Sequence, residues 1–351
     1  MPPNHPHPGK TSGKARGEAL GALVTARVSP KGDPRTEHFL FPAEQPLPGI
    51  LEETFYNDAR LDPFPRTPRS QAGTQPRNPF PKKPPADKET LMPPSRGTVL
   101  QKVAREAGAC LRHFFRKDLH IRKKSELDLV TLADETAEKL VLNGIREFYP
   151  EDAVIAEESG NHKGSSHFQW IIDPLDGTTN FAHGFPHFAV SIALLEEGRV
   201  IEGVVYDPVK EEYFHGRLGH GASLNGAPIR VGGCQTLADA LAVTGFSYDR
   251  RQRLPELLDR VRRMLSHCRG FRRLGSAALD LAYVACGRFD LYLEDGLHPW
   301  DIAAGRLLVT EAGGYIADFS GGPLDPFACE VVAANLHLKD QLFRELLLPK
   351  S

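Results

Sequence analysis

Two aspartates three residues apart, Asp173 and Asp176, lie at the end of an apolar run that begins at Trp170. Two carboxylates fixed at a strand end make a site for a hard cation such as Mg²⁺, because that ion prefers oxygen ligands. The glycine and two threonines at 177–179 can begin a helix, and the free N–H groups of a helix start suit a phosphate. The segment therefore predicts a site for metal-assisted phosphoryl transfer.

Three more acidic residues lie in two other segments of the sequence. Glu157 and Glu158 follow the short apolar run 153–156, and Asp301 begins an amphipathic segment. Each has an ordinary explanation alone, since an aspartate at a helix start is usually a cap and a Glu-Glu pair is usually a solvated turn. Asp173 and Asp176 are harder to explain in this way, because adjacent carboxylates repel unless a cation or hydrogen bonds hold them.

Histidines at three positions near these segments do not predict a zinc site. They are His183, His187 and His298. Mg²⁺ takes oxygen ligands, so we assign none of these imidazoles a direct catalytic role.

The composition indicates an ordinary globular protein. Of the 351 residues, 40% are hydrophobic, and the formal net charge is -2, which gives no reason to expect a nucleic-acid partner. The five cysteines are scattered and contain no C-x-x-C pair, a pattern typical of reduced thiols in a cytoplasmic protein. No apolar run is long enough to span a bilayer, so we expect no membrane association.

Proline divides the chain into two parts. Nineteen of the 29 prolines precede residue 96, and such segments sustain neither a helix nor a central strand. We predict a disordered, Pro-rich extension over 1–95 and a folded domain over 96–351. Three readings of the extension stay open: a solvated tail, a polyproline ligand for an aromatic groove, or a segment that is bypassed when translation starts at Met92.

The folded part alternates helices and strands without a strict βαβ repeat, which favours a layered α/β protein over a doubly wound sheet. Periodicity predicts helices near 100–114, from Thr131, and over 255–266, 276–286 and 301–312. It predicts strands over 153–156, 170–172, 240–244 and 289–293, and a hairpin that joins 188–195 to 200–206.

Taken together, these segments resemble the inositol monophosphatase family of Mg²⁺-dependent, lithium-sensitive phosphatases. The resemblance covers about residues 97–348 and rests on two signatures, 170–181 and 300–314, preceded in order by 128–131 and 156–159. It implies a five-layer αβαβα sandwich of the sugar-phosphatase type and a homodimer, and the cysteine pattern predicts a cytoplasmic location.

The resemblance also implies a set of ligands for two or three Mg²⁺ ions. In it, Glu157 binds the first metal and helps to orient the nucleophilic water. Asp173 bridges the first two metals, and the carbonyl of Leu175 completes the first site. Asp176 and Asp301 hold the second metal.

Other residues receive roles in the reaction from the same resemblance. Thr178, supported by Asp134, positions and deprotonates the water, while the N–H groups of Gly177 and Thr178 hold the phosphate. Lys123 matches a flexible lysine that closes over the metals. Glu158 is implied to be a supporting residue rather than a ligand.

The substrate is implied to be a small phosphomonoester. Gly275, Ser276, Ala277 and Glu294, with Asp301, match positions that contact its alcohol portion, and the stretch 294–297 is closest to the inositol type. We therefore favour myo-inositol monophosphate, with histidinol phosphate and fructose 1,6-bisphosphate as alternatives. A different class of function also stays open: a regulatory binding protein that retains the fold, as some family members do with transcription machinery.

Overall fold

The computed structural model describes residues 93–117, 122–123, 129–323, 325 and 327–347, with the backbone alone for 122–123 and 129–130. The predicted disordered extension therefore lies outside the described residues, apart from its last three positions. Asp128, in the first of the four sequence segments, also lies outside them. Of the helices that are described, none combines the length and the hydropathy that crossing a bilayer demands.

Fifteen strands lie in three sheets within this part of the chain. In chain order they are β1 (Arg122–Lys123), β2 (Leu129–Val130), β3 (Ala153–Ala156), β4 (Gly160–His162), β5 (Phe168–Asp176), β6 (Ala189–Glu196), β7 (Arg199–Asp207), β8 (Glu212–Arg217), β9 (Gly221–Leu224), β10 (Ala227–Pro228), β11 (Leu241–Thr244), β12 (Gly270–Arg272), β13 (Leu291–Asp295), β14 (Tyr315–Ala317) and β15 (Glu330–Ala334). The larger sheet has the order β10-β9-β8-β7-β6-β5-β3-β4, and the smaller sheet has the order β12-β11-β13-β15-β14. Strands β1 and β2 pair with each other.

Helices flank both sheets. They are α1 (Arg96–Phe114), α2 (Leu132–Phe148), α3 (Thr178–Ala182), α4 (Leu254–His267), α5 (Ala277–Ala285), α6 (Pro299–Glu311) and α7 (Lys339–Gln341), with a 3₁₀ turn at Leu237–Asp239 and a π-helical turn at Leu342–Leu347.

Three apolar clusters separate five layers. The first lies between α1/α2 and one face of the larger sheet, where Trp170 and Ile172 are fully buried. The second lies between the two sheets and contains α5 and α6 together with Ile171 from the opposite face of β5. The third covers the outer face of the smaller sheet with Met264 of α4 and the C-terminal turn. The predicted αβαβα sandwich is confirmed.

The sequence of β5 explains why regular strand pairing ends at Asp173 and Asp176. Both faces of β5 are buried, so its residues read as one apolar run rather than as an alternating pattern. Pro174 lies inside this central strand and cannot donate a ladder hydrogen bond, and the register with β6 shifts between Asp173 and Asp176. The irregularity ends regular pairing where the two carboxylates lie.

The predicted elements agree with the structure in type and in approximate position. Helix α2 begins after Thr131, which forms a capping box with Asp134. The predicted hairpin is β6–β7, whose turn residues Glu197 and Gly198 both have positive φ angles. The sequence patterns did not predict β1, β2, β4, β8–β10, β12, β14 or β15, most of which have four residues or fewer.

Candidate active site

A cavity of about 370 Å³ lies where the end of β5, the start of α5, the end of β13 and the start of α6 meet. The predicted site residues that line it are Glu157, Asp173, Leu175, Asp176, Gly177, Thr178, Gly275, Ser276, Ala277, Glu294 and Asp301. Asp134 is not part of the lining, and the side chain of Lys123 lies outside what the structure describes. Segments separated by more than a hundred residues thus meet at one cavity.

Three aspartates form the most compact acidic group in this cavity. Asp173, Asp176 and Asp301 each place a carboxylate oxygen so that the three oxygens lie within 4.8 Å of one another. Hydrogen bonds fix the orientation of each one. Asp173 Oδ1 accepts from the Leu175 N–H at 2.9 Å, and Asp301 Oδ2 accepts from the His298 N–H at 2.7 Å.

Asp176 is held by residues at the start of α5, about a hundred positions later in the sequence. Its Oδ2 accepts from Ser276 Oγ at 2.6 Å and from the Ala278 N–H at 2.7 Å. Ser276 is the N-cap of α5, and its Oγ also accepts from the Leu279 N–H at 3.4 Å. The predicted substrate residue Ser276 therefore orients a predicted metal ligand.

Burial disfavours the charged forms of these carboxylates when no cation is bound. Burial is the main reason that the pKa of Asp173 lies well above its ordinary value, and the Glu157 and Asp176 carboxylates raise this pKa further. Burial, followed by the charge of Asp301, raises the pKa of Asp176 to about 7. A bound cation would stabilise the charged forms of all these groups.

Glu157 lies beside Asp173 on a turn that a buried glutamate holds in place. Glu138 of α2 is 3% exposed, and its carboxylate accepts the N–H groups of Glu158 at 2.8 Å and Ser159 at 2.9 Å. The sequence analysis missed Glu138, since a single glutamate on a helix carries no signal of a contact twenty residues away. Glu158 does not line the cavity.

Thr178 connects the cavity to a buried acid. Its Oγ1 lies 3.2 Å from Asp134 Oδ1 and 3.1 Å from the Leu175 carbonyl oxygen. Asp134 also accepts bonds from the N–H and the hydroxyl of Thr131. Burial raises the pKa of Asp134, and the hydrogen bonds from Thr131 and Thr178 oppose that shift. Asp134 thus contacts the site through Thr178 without lining the cavity.

Glu294 lies in the cavity wall with its carboxylate buried. Its Oε2 accepts from the Tyr292 hydroxyl at 2.8 Å. Burial raises the pKa of Glu294 to about 8, against the lowering effect of the Tyr292 hydrogen bond. The Glu294 carboxylate lies against Gly245, where a Cβ would come within about 2 Å of it, so a larger residue at position 245 would have to displace the carboxylate.

Asn180, which belongs to the first signature, connects β5 to the 275–277 segment. Its Nδ2 donates to the carbonyl oxygens of His187 and Leu274, both at 2.8 Å. This contact spans more than ninety residues of sequence, and no local pattern could have predicted it.

The remaining predicted residues have different positions. Lys123 lies on β1, and its backbone pairs with Leu129 of β2. His298 is in the cavity lining, whereas His183 and His187 are not. Phe246, Arg250 and Arg273 also line the cavity, and the sequence analysis did not select them.

Comparison with known proteins agrees with the geometry. The model of the inositol monophosphatase family matches residues 95–349. The chain is 44% identical over 240 residues to "Nus factor SuhB" of Escherichia coli, a match that covers 68% of this chain and 90% of that protein. It is 46% identical over 248 residues to the protein of the same name in Pasteurella multocida, covering 70% and 93% of the two chains.

Solved structures give the same result. An inositol monophosphatase from Anabaena superposes with a TM-score of 0.65 and 41% identity, covering 72% of this chain and 95% of that one. The extragenic suppressor protein suhB from Bartonella henselae gives a TM-score of 0.69 and 39% identity, covering 71% and 97%. The chain belongs to the inositol monophosphatase family, as the two signatures predicted.

Proposed function

We propose that this protein is a Mg²⁺-dependent phosphatase that hydrolyses a small phosphomonoester to an alcohol and phosphate. The observation that carries the proposal is the group of carboxylate oxygens of Asp173, Asp176 and Asp301, within 4.8 Å of one another at the buried end of a cavity. Thr178 lies in the same cavity wall, bonded to a buried acid. Family membership supports the same class of reaction.

The residues present fit Mg²⁺. The donors at the buried end of the cavity are carboxylate and carbonyl oxygens, which this ion prefers. The raised pKa values of Asp173 and Asp176 support the fit, since burial and neighbouring carboxylates disfavour their charged forms, which a bound cation would stabilise. Asp173, Asp176 and Asp301 would hold the ions, with Glu157 and the Leu175 carbonyl at the edge of the group. Once bound, Mg²⁺ supplies positive charge against the phosphate dianion and lowers the pKa of water.

The chain's own residues would orient the reaction. The N–H groups of Gly177 and Thr178, in the turn after β5, would hold the phosphate. The Thr178 hydroxyl would accept a proton from the attacking water and pass one to Asp134, to which it is already bonded at 3.2 Å. A base whose pKa is raised by burial accepts a proton more readily.

Within this class we favour myo-inositol monophosphate as the substrate. Glu294, in the wall above Asp176, offers oxygens that can accept bonds from ring hydroxyls. The inositol monophosphatase from Anabaena, 41% identical, supports this choice. Histidinol phosphate and fructose 1,6-bisphosphate remain the alternatives. We also propose a homodimer, which the family resemblance implies, and a cytoplasmic location, which the five free thiols support.

The proposal is tested with Asp173→Asn. The substitution preserves shape but removes the charge that we expect two ions to share, so Mg²⁺-dependent phosphate release should be lost. The rise in melting temperature that Mg²⁺ gives the unmodified protein should be lost as well.

Asp259→Asn is the matched control. Asp259 is an exposed carboxylate of α4 that bonds with Arg262 and Arg263 of the same helix. This variant changes the net charge equally and should keep both properties. Substantial Mg²⁺-dependent turnover by Asp173→Asn would refute the proposed assignment.

A second candidate function is binding to a macromolecular partner. The relatives from Escherichia coli and Pasteurella multocida both carry the name of a factor rather than of an enzyme. Capture of a defined partner by this protein, equal for the unmodified chain and for Asp173→Asn, would establish a role separate from catalysis. Repeating the capture without residues 1–95 would show whether the Pro-rich extension takes part.

A further inference from the structure

The carboxylate at one edge of the acidic group lies on a short hairpin turn. Strands β3 and β4 pair antiparallel as far as Ala156 and Gly160, so residues 157–159 form the turn and Glu157 is its first residue. Strand β4 is at the edge of the larger sheet. The Glu157 N–H donates to the Ile172 carbonyl at 3.2 Å, which fixes the start of the turn. The rest of the turn lies beyond the regular strand pairing and needs other contacts to hold it.

Glu138 of α2 makes such contacts. Its Oε2 accepts from the Glu158 N–H at 2.8 Å, and its Oε1 accepts from the Ser159 N–H at 2.9 Å. Glu138 is 3% exposed, so these two bonds are shielded from water. A buried carboxylate is costly to leave without its donors. The position of the turn is therefore tied to the position of α2.

A second contact between α2 and the same hairpin lies farther along the helix. The His162 ring of β4 has Arg146 Nη2 at 3.0 Å from its Nδ1 and Ser159 Oγ at 2.6 Å from its Nε2. Arg146 and Ser159 are both exposed, in contrast to Glu138. Hydrogen bonds at exposed positions compete with water, so Glu138 is the stronger of the two contacts.

The face of α2 that carries Glu138 also carries Asp134. The two acids are four residues apart, so their side chains leave the helix on the same face. Asp134 is bonded to Thr178 at 3.2 Å, and Glu138 is bonded to the turn that begins with Glu157. One buried face of one helix thus contacts two separate parts of the candidate site.

We propose that Glu138 is a positioning residue for metal binding, which keeps the Glu157 carboxylate beside Asp173 by holding the β3–β4 turn. This inference rests on the proposed phosphatase function. It assigns part of the Mg²⁺ affinity to a side chain that does not line the cavity and whose oxygens are occupied by backbone N–H groups. Residues that orient a metal ligand from behind contribute about 10–100-fold to metal affinity in other proteins.

Two substitutions separate the position of Glu138 from its charge. Glu138→Gln keeps the shape but directs an amide NH₂ group at one of the two N–H groups. Glu138→Asp keeps the charge but is one methylene too short to hold both N–H groups. Isothermal titration calorimetry of the metal-free proteins with MgCl₂ measures the affinity. We expect both variants to bind Mg²⁺ about tenfold more weakly than the unmodified protein.

Steady-state kinetics provide a second readout. The Mg²⁺ concentration that gives half of the maximal rate should rise in both variants by the factor that calorimetry finds. The KM for the phosphomonoester at saturating Mg²⁺ should stay unchanged, because Glu138 does not line the cavity. A variant that is only less stable would have a lower melting temperature in chelator but an unchanged Mg²⁺ affinity.

Glu147→Gln is the matched control. Glu147 is an exposed carboxylate of the same helix, with its Oε2 at 3.7 Å from Lys102 Nζ. The control changes the net charge by the same amount as Glu138→Gln. It should leave the Mg²⁺ affinity and the Mg²⁺ dependence of the rate unchanged.

The contrary outcomes are distinct. If Glu138→Asp binds Mg²⁺ like the unmodified protein and only Glu138→Gln binds it more weakly, the charge alone matters and the positioning role is refuted. Equal affinities in all four proteins refute it as well, and the proposed function then stands. If the unmodified protein shows neither Mg²⁺ binding nor Mg²⁺-dependent phosphate release, the proposed function fails, and the role of Glu138 fails with it.

Discussion

Thr178 joins the turn after β5 to a buried acid through one hydroxyl. That hydroxyl has two partners, Asp134 Oδ1 and the Leu175 carbonyl oxygen, both within hydrogen-bond distance. A threonine hydroxyl has one proton to donate and can still accept another, so it can relay a proton between water and Asp134. The methyl group by itself provides no such path.

Replacing Thr178 by valine should therefore lower kcat roughly 100-fold or more, because the proton path is lost while the shape is kept. Thr178→Ser restores the hydroxyl and should keep most of the activity. Steady-state kinetics on the preferred substrate measure both variants. Equal losses in the two variants would show that the packing of the methyl group, rather than the hydroxyl, matters.

Glu294 gives a prediction about pH. Burial raises its pKa from the ordinary 4.5 to about 8, so between these values the folded protein holds a proton that the unfolded chain releases. The unfolded state then binds fewer protons, and the free energy of unfolding falls as pH rises through this window. Residue 294 cannot titrate in the Glu294→Gln variant, so the free energy of unfolding of this variant should fall less steeply with pH. The slopes of the two proteins should differ by up to about 1.4 kcal/mol per pH unit.

Urea denaturation at several pH values from 4.5 to 8, with chelator present so that no divalent ion binds, measures this slope. Asp173, Asp176 and Asp280 also have raised pKa values through burial, so the variant should keep a residual slope of the same sign. Identical slopes in the two proteins would mean that Glu294 is ionised throughout the window.

At the scale of elements, the turn between β5 and α3 positions the site. Gly177 has a φ of 99°, and a Cβ there would lie 3.1 Å from the His187 carbonyl oxygen and 3.2 Å from the Phe188 Cβ. A side chain at this position would be strained and would displace the turn that carries Thr178. Gly198, in the β6–β7 hairpin, has a φ of 79° but has nothing within 4 Å.

These two glycines form a matched pair. Both substitutions force alanine into the left-handed region, which costs about 1–2 kcal/mol in the free energy of unfolding. Gly177→Ala should cost more than Gly198→Ala, because its Cβ also meets the His187 carbonyl oxygen. Only Gly177→Ala should also impair catalysis, since only that turn carries a site residue. Denaturation and kinetics on both variants separate the two effects. Full activity in Gly177→Ala would refute the role of this turn.

Elements with local signals were predictable from the sequence. The capping box of Thr131 and Asp134 marks α2, and the glycine turn at Gly198 marks the β6–β7 hairpin. The strands β12 and β14 have three residues each, and they exist because longer strands offer them a partner. Short strands of this kind leave no periodic pattern in the sequence.

The same distinction holds for the site. Acidic residues at element ends were selected because their types and positions indicate metal chemistry. Glu138 and Asn180 were missed, because their importance comes from contacts twenty and more than ninety residues away. Arg273 was missed because an arginine on an exposed segment looks ordinary until the fold places it over Gly275.

At the scale of the whole molecule, the candidate site is built from both sheets and from the helices that pack between them. The cluster between them contains α5 and α6, whose N-terminal ends supply Ser276 and Asp301 to the cavity. The end of β5 in the larger sheet supplies Asp173 and Asp176, and β13 of the smaller sheet supplies Glu294. The site therefore depends on the packing of both sheets against one helical layer.

Packing also fixes the start of α1. The Arg96 guanidinium bonds to both carboxylate oxygens of Asp152, at 2.7 and 2.8 Å, and lies over the rings of Tyr149 and Phe168. Asp152 is 5% exposed and also accepts from Trp170 Nε1 at 2.9 Å. Ser95 caps α1 through a bond of 3.1 Å from the Thr98 N–H.

A chain that begins at Met92 keeps all these contacts, so we expect its melting temperature to match that of the full chain within about 2 °C. A chain that begins at Gly97 lacks Ser95 and Arg96 and leaves the Asp152 carboxylate buried without its cation. Its melting temperature should fall by at least about 5 °C, because breaking a buried ion pair costs several kcal/mol. Both chains keep the whole cavity, so at 25 °C the chain from Met92 should hydrolyse the substrate at the rate of the full chain. A large loss of stability on removing residues 1–91 would instead show that the Pro-rich extension belongs to the folded domain.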